Sequence, residues 1–354
     1  MKVQTIIGNR IIKTGIAVFF TALICKWLDF PPTFAVITAI VTIEPTVTDS
    51  IKKGLVRFPA SAIGAAYAVL FLAIFGHSPL TYMLAAILTI FTCFRLHLHA
   101  GLLVATLTAI AMIEIVENSY LISFLIRLAT TTIGLSVSTL VNMFVFPPNY
   151  HHSLYQKITS IRKQLSNHMK RCYYELIFAK TPLDHGVNEK VGNVYKELER
   201  ATLLSLYQKK DLKYHHILEK HEDELIEFRQ QIHHLRMIQY HVTNIAEQPA
   251  VKINWEVEKQ KQVFDTVCYF ANVLANKIEF RKNEWEDRRE QLHQLFQETL
   301  QTTQMNEGEK LPIELVAVYE LTSIVEIVED HYTWEWNQKE KNARLKKHKT
   351  RSGL

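Results

Sequence analysis

The chain has 354 residues, with 40 Lys/Arg, 35 Asp/Glu and a formal net charge of +5, and its averages alone would suit an ordinary soluble protein. No nucleic-acid partner is expected from it. Four cysteines, Cys25, Cys93, Cys172 and Cys268, contain no CxxC pair, which excludes a disulfide framework or a zinc site of the usual spacing.

The averages conceal two unlike parts. Residues 1–146 hold nine Lys/Arg and five acids, leaving 31 basic and 30 acidic residues for the other 208. Charge density therefore jumps at Phe146-Pro147-Pro148, and two domains are expected, 1–148 in the membrane and 149–354 in the cytoplasm.

The apolar stretches of the first part predict six membrane helices, roughly Ile11–Leu28, Pro32–Ile43, Leu55–Phe75, Leu80–Phe94, Leu98–Val116 and Leu121–Phe146. A crossing helix takes about 20 residues, with a range of about 17 to 25, so the second and fourth are short. Two readings fit them, a broken helix at a binding site or a span extended by its flanking loops. The first stretch lacks a small-residue cleavage site and reads as a retained helix rather than a signal.

A repeat runs through these spans. Thr38-Ala39-Ile40-Val41-Thr42-Ile43-Glu44 recurs as Thr108-Ala109-Ile110-Ala111-Met112-Ile113-Glu114, and Arg57 with Gly64 recurs as Arg127 with Gly134, seventy residues on. Three spans per copy would place the second copy upside down, an inverted three-plus-three repeat of the kind secondary transporters use. Lys2, Arg10, Lys13, Lys52, Lys53, Arg57 and Arg95 all fall on one side in this arrangement. That side is the cytoplasmic one, both termini lie there, and residues 76–79 and 117–119 face outward.

Ionisable residues within apolar sequence carry the functional signal, because a charge at the centre of a membrane helix costs about 2.5–3.5 kcal/mol on insertion scales. Glu44 and Arg57 flank one turn, and Glu114 and Arg127 repeat the spacing. Each pair fits two roles. It either clasps two helices, or its arginine attracts an anion that its glutamate releases by competition or by carrying a proton. If the pairs are clasps, the substrate site lies among Thr38, Thr108, Trp27 and the aromatic residues lining spans two and five.

Residues 149–354 read as an antiparallel helical bundle. Leu154, Ile158, Ile161, Leu165, Cys172 and Leu176 form one apolar stripe, and Leu225, Phe228, Ile232, Leu235 and Val242 another. Pro182, Gly186, Pro249, Gly308 and Pro312 separate the helices. The stripes fill an intramolecular core or pair across subunits, so a homo-oligomer is compatible with them. His215, His216, His221, His233, His234 and His241 read as a solvated face without a clear acidic partner, and His97 and His99 as proton-responsive groups. Lys339 to Arg351 form a basic cluster, either a solvated helix end or a site for anionic lipid.

No Gly-rich phosphate loop, nucleophile elbow or metal-spaced set occurs, so neither an enzyme, a cofactor nor a metal is expected. The six spans, Pro31-Pro32, the run from Thr38 to Glu44-Pro45, the Arg57–Gly64 segment with its Arg127–Gly134 copy, and the helical tail together resemble the aromatic acid exporter family of fusaric-acid-resistance-type membrane proteins. The resemblance implies a multi-pass protein of the bacterial plasma membrane that exports small organic anions, aromatic carboxylic acids in particular. It implies Glu44, Pro45, Arg57 and Arg127 as functional positions. An organic-anion channel and a membrane-anchored interaction or sensor protein are the alternatives.

Overall fold

The computed structural model describes residues 3–115, 119–145, 150–178, 185–212, 222–248, 253, 255–302 and 311–351. Glu117, Phe146-Pro147-Pro148, Pro182, His215, His216, His221, Pro249 and Gly308 lie outside the described residues, as do the side chains of the basic cluster from Lys339 to Arg351, while Gly186, expected to separate helices, falls within the helix His185–Asp211. The chain is all-α, with twelve α-helices among the described residues. It separates into two units, one of Met1–Asn149 with Lys209–Ile217, the other of Tyr150–Gln208 with Leu218–Leu354.

The first unit contains α1 (Val3–Trp27), α2 (Pro32–Thr42), α3 (Val47–Phe75), α4 (Pro79–Arg95), α5 (Leu102–Ile115) and α6 (Tyr120–Phe144), with a short 3-10 turn over His99–Gly101 before α5. Local chemistry sets the boundaries. Pro32 opens α2, where its fixed φ fits and its missing N–H is no loss. Pro45 then holds the chain out of helix, with Ile43 already extended at ψ 103°. Thr46 caps α3 by accepting from the Asp49 N–H at 3.0 Å. Gly76, at φ +58°, closes that helix.

The expectation of six crossings is overturned. Among the described residues two helices, α3 with 29 residues and α6 with 25, are long and apolar enough to cross a membrane. The Pro31-Pro32 and Pro45 breaks confine α2 to 11 residues, while α4 has 17 and α5 has 14. At about 1.5 Å per residue, α2 and α5 fall well short of the roughly 30 Å hydrocarbon layer. α1, with 25 residues including Arg10, Lys13 and Lys26, is not one of the two. The inverted arrangement of two three-span halves falls with the spans it was built on.

The sequence repeat has a packing counterpart in which helices pair with the other copy. α3 packs on α5 and α6 packs on α2, while α3 and α6 cross each other. Ser50 meets Asn142 and Ser61 meets Thr131, so the numbering runs in opposite senses along the two helices. Small residues permit the approach. A Cβ on Gly64 would lie 2.2 Å from the Ala105 carbonyl oxygen, and one on Gly134 2.4 Å from that of Ala35. Ala105 is the repeat equivalent of Ala35, so the two contacts are one contact made twice.

The outer surface of these helices is apolar. Leu55, Leu121, Phe19 and Phe91 are all more than 60% exposed. Only 39% and 33% of the most apolar stretches of α3 and α6 are buried. Apolar surface on this scale calls for an apolar surrounding.

The second unit comprises α7 (His151–Phe178), most of α8 (His185–Asp211), α9 (Glu222–Ala246), α10 (Val257–Leu274), α11 (Lys282–Thr302) and α12 (Ile313–Arg351). α7 packs on α9 and α10, and α12 on α9 and α11. Both predicted apolar stripes are buried, and Trp285 fills the core with its ring 4.7 Å from that of Phe270. His241, read from the sequence as lacking an acidic partner, bonds Glu320 at 2.5 Å, and Asn244 donates to the same carboxylate at 3.0 Å. The acid lies 79 positions away, on a helix brought alongside only by folding.

Candidate functional site

Ser61 on α3, Thr108 on α5 and Thr131 on α6 meet at the crossing of the repeated helices. The Ser61 hydroxyl lies 3.3 Å from that of Thr108 and 3.5 Å from that of Thr131. All three are buried. Ser61 and Thr131 are repeat equivalents, so this is the place where the two copies touch at matching positions.

Arg127 projects into the same cluster and is 4% exposed. Its Nη2 donates to Thr108 Oγ1 and, at 3.4 Å, to Ser61 Oγ. The Phe34 ring covers the guanidinium, its centroid 4.1 Å from Cζ, a cation–π contact. Nε and Nη1 are buried with no hydrogen-bond partner, and no ion pair to Arg127 occurs among the described residues. A buried charge left without its counterion costs several kcal/mol.

Arg57, its equivalent, is fully engaged. Nη2 pairs with Glu44 at 2.8 Å, Nη1 donates to the Val41 carbonyl at 3.1 Å, and Nε to that of Ala100 at 3.2 Å. Lys53 takes the other oxygen of Glu44 at 2.9 Å. Burial pushes the Glu44 carboxyl up, but Lys53 and Arg57 together hold it below the usual carboxylate range. This is a closed clasp.

The expected second pair does not form. Glu114 accepts from the Tyr82 hydroxyl of α4, whereas Arg127 turns to the hydroxyl cluster. Thr38 is buried, returns its hydroxyl to the Phe34 carbonyl at 2.8 Å, and lies against Gly134. Thr108 is within the cluster. Pro45 sits in the break between α2 and α3. Trp27, the last residue of α1, is 83% exposed and takes no part.

A UPF0421 protein of Oceanobacillus iheyensis is 47% identical over 340 residues, covering 94% of this chain and 97% of the relative. The chain belongs to the UPF0421 family. Another member, from Bacillus cereus, is 45% identical over 271 residues (77% of this chain, 76% of the relative), and one from Staphylococcus haemolyticus is 35% identical over 333 (93% and 98%). Residues 5–145 match the family model described as aromatic acid exporter family member 1, as the sequence resemblance implied. The first part of the UPF0421 chain is thus similar to a transporter-type family. Membrane association accords with that match and with the apolar surface of α3 and α6.

Sequence reasoning missed Phe34, Ser61 and Thr131 in this UPF0421 chain. For the last two a signal existed, since both hold a hydroxyl at the same repeat offset. Phe34 had none, because Val104 stands at its repeat equivalent.

Proposed function

We propose that this UPF0421 protein exports small organic anions, aromatic carboxylic acids in particular, across the bacterial plasma membrane. Arg127 receives the carboxylate. The observation that carries the reading is the buried guanidinium with two nitrogens unpartnered and no acid beside it. A carboxylate there forms charge-assisted hydrogen bonds and supplies the missing countercharge. The hydroxyls of Ser61 and Thr108 add neutral donors, and Phe34 offers a ring beside an aromatic substrate.

Arg57 and Glu44 form a clasp that an arriving anion opens by competing for Arg57, or that opens when Glu44 takes a proton. Transport is driven by the proton gradient or by the anion's own electrochemical gradient. The basic ends of the helices indicate orientation. Because α3 and α6 run oppositely, the start of α3, with Lys52 and Lys53, lies on the same side as the end of α6, and positive charge favours the cytoplasm there. Both chain termini lie on that side in this reading.

The test is benzoate flux in liposomes bearing the full chain, with and without a pH gradient. Arg127→Gln is expected to lower flux at least tenfold, a transition-state loss of about 1.4 kcal/mol or more, with the yield of folded protein unchanged. Undiminished flux in folded Arg127→Gln protein would remove the anion site from Arg127.

A further inference from the structure

The first turn of α3 is capped from far along the chain. Asp211 belongs to the Lys209–Ile217 segment that clusters with the first unit. Its Oδ1 accepts from the Val47 N–H at 2.9 Å and from the Thr48 N–H at 3.4 Å, across 164 and 163 positions of sequence. Thr46 takes the Asp49 N–H with its side chain and the Ser50 N–H with its carbonyl. The N–H groups of Val47, Thr48 and Asp49, which the helix cannot satisfy internally, are therefore all capped, and the Ser50 N–H closes the first bond within the helix.

The docking has further contacts. Lys210 donates to both carboxylate oxygens of Asp49 at 2.9 Å, and its carbonyl accepts from the Thr48 hydroxyl at 2.5 Å. Asp211 itself is wholly buried, and its Oδ2 has no partner. The charged groups that act on it are Asp49 on α3 and Lys13 on α1, with Lys210 beside it in the chain. Lys13 is buried and donates to Asn142 Oδ1 at 2.9 Å, Lys53 and Arg57 hold Glu44, and Lys210 holds Asp49. No cation touches Asp211 among the described residues.

We infer that Asp211 is a proton-binding site, and that a proton on its vacant Oδ2 latches the Lys209–Asp211 segment to the first turn of α3. Protonation there sacrifices no hydrogen bond, because Oδ1 keeps both amides while the desolvated charge disappears. Burial pushes the docked carboxyl up to about 6, against the pull of the Thr48 and Val47 amides and of Lys13, with Asp49 adding to the rise. Released into water, the same group returns to about 3.9. The docked form thus binds its proton more tightly than the released form. Docking strengthens as pH falls through about 6 and levels off below about 4, a change of roughly a hundredfold in the docking equilibrium. The inference does not depend on what the helices carry.

Amide hydrogen exchange on the full chain tests it, with rates at each pH divided by the intrinsic exchange rate. Protection of the Val47–Ser50 amides should fall about tenfold between about pH 5 and pH 7.5, while the middle of α5 stays unchanged. Asp211→Asn, neutral at every pH and still able to accept both amides, should keep the low-pH protection throughout. Lys13→Met should move the midpoint upward, since it removes a cation that favours the charged carboxyl. A flat wild-type profile, a slope that persists in Asp211→Asn, or a midpoint unmoved in Lys13→Met would assign the effect elsewhere and overturn the latch.

Discussion

Arg57 and Arg127 occupy the same place in two copies of one sequence segment and meet opposite fates. Arg57 has a carboxylate and two carbonyls, whereas Arg127 has hydroxyls and a ring. Their substitutions should separate accordingly. Arg57→Gln is expected to destabilise the first unit by about 3 kcal/mol, the low end for breaking a buried pair because Lys53 remains on Glu44. The double change with Glu44→Gln should recover most of the loss. Arg127→Met should instead leave stability unchanged or raise it by about 1–4 kcal/mol, since it removes a buried charge that no acid balances. Denaturation of each variant beside its flux reads both effects, and a large stability loss in Arg127→Met would make that residue a structural clasp. The sign of the pH effect at Glu44 follows from its lowered carboxyl. Its contribution is full above the ordinary carboxylate value of about 4.3 and is lost only as pH falls through the lower folded value.

At the scale of elements, the close crossings depend on two glycines. Gly64→Ala and Gly134→Ala each place a methyl against a backbone carbonyl, which cannot swing aside, and should cost about 1–3 kcal/mol apiece. Gly54→Ala meets only Leu135 Cδ2, at an ordinary 3.7 Å, and should be neutral or stabilising by up to about 1 kcal/mol through helix propensity. Equal melting shifts for Gly54→Ala and Gly64→Ala would refute the close-packing account. Helix positions were legible where prolines, glycines and caps mark them, as at Pro32, Pro45 and Gly76. Membrane crossing was not, because an apolar run shows composition while its helical length depends on where the backbone breaks.

For the whole molecule, the first unit is incomplete as a continuous stretch of chain. Asp211→Ala should destabilise it by about 1–2 kcal/mol near pH 5, the usual cost of a lost cap, and a chain ending at Asn149 should lose at least as much. Calorimetry of the two variants beside the full chain reads this, and a first unit equally stable without residues 209–217 would show the cap to be dispensable. The charge step after residue 146 separates the two compositions, yet nothing in it reveals that a segment more than sixty residues later returns to the first unit.

By itself the sequence determined the helical class, the repeat, the apolar stripes and the family resemblance, because these follow from periodicity and residue type within short windows. Only the tertiary structure decided that Glu44 clasps Arg57 while Arg127 stands without an acid, that two helices rather than six have the length and apolarity to cross, and that Asp211 caps α3. Each depends on which groups separated by tens to hundreds of residues are desolvated together. Such pairing is set by the packing of whole helices, and no local pattern records it.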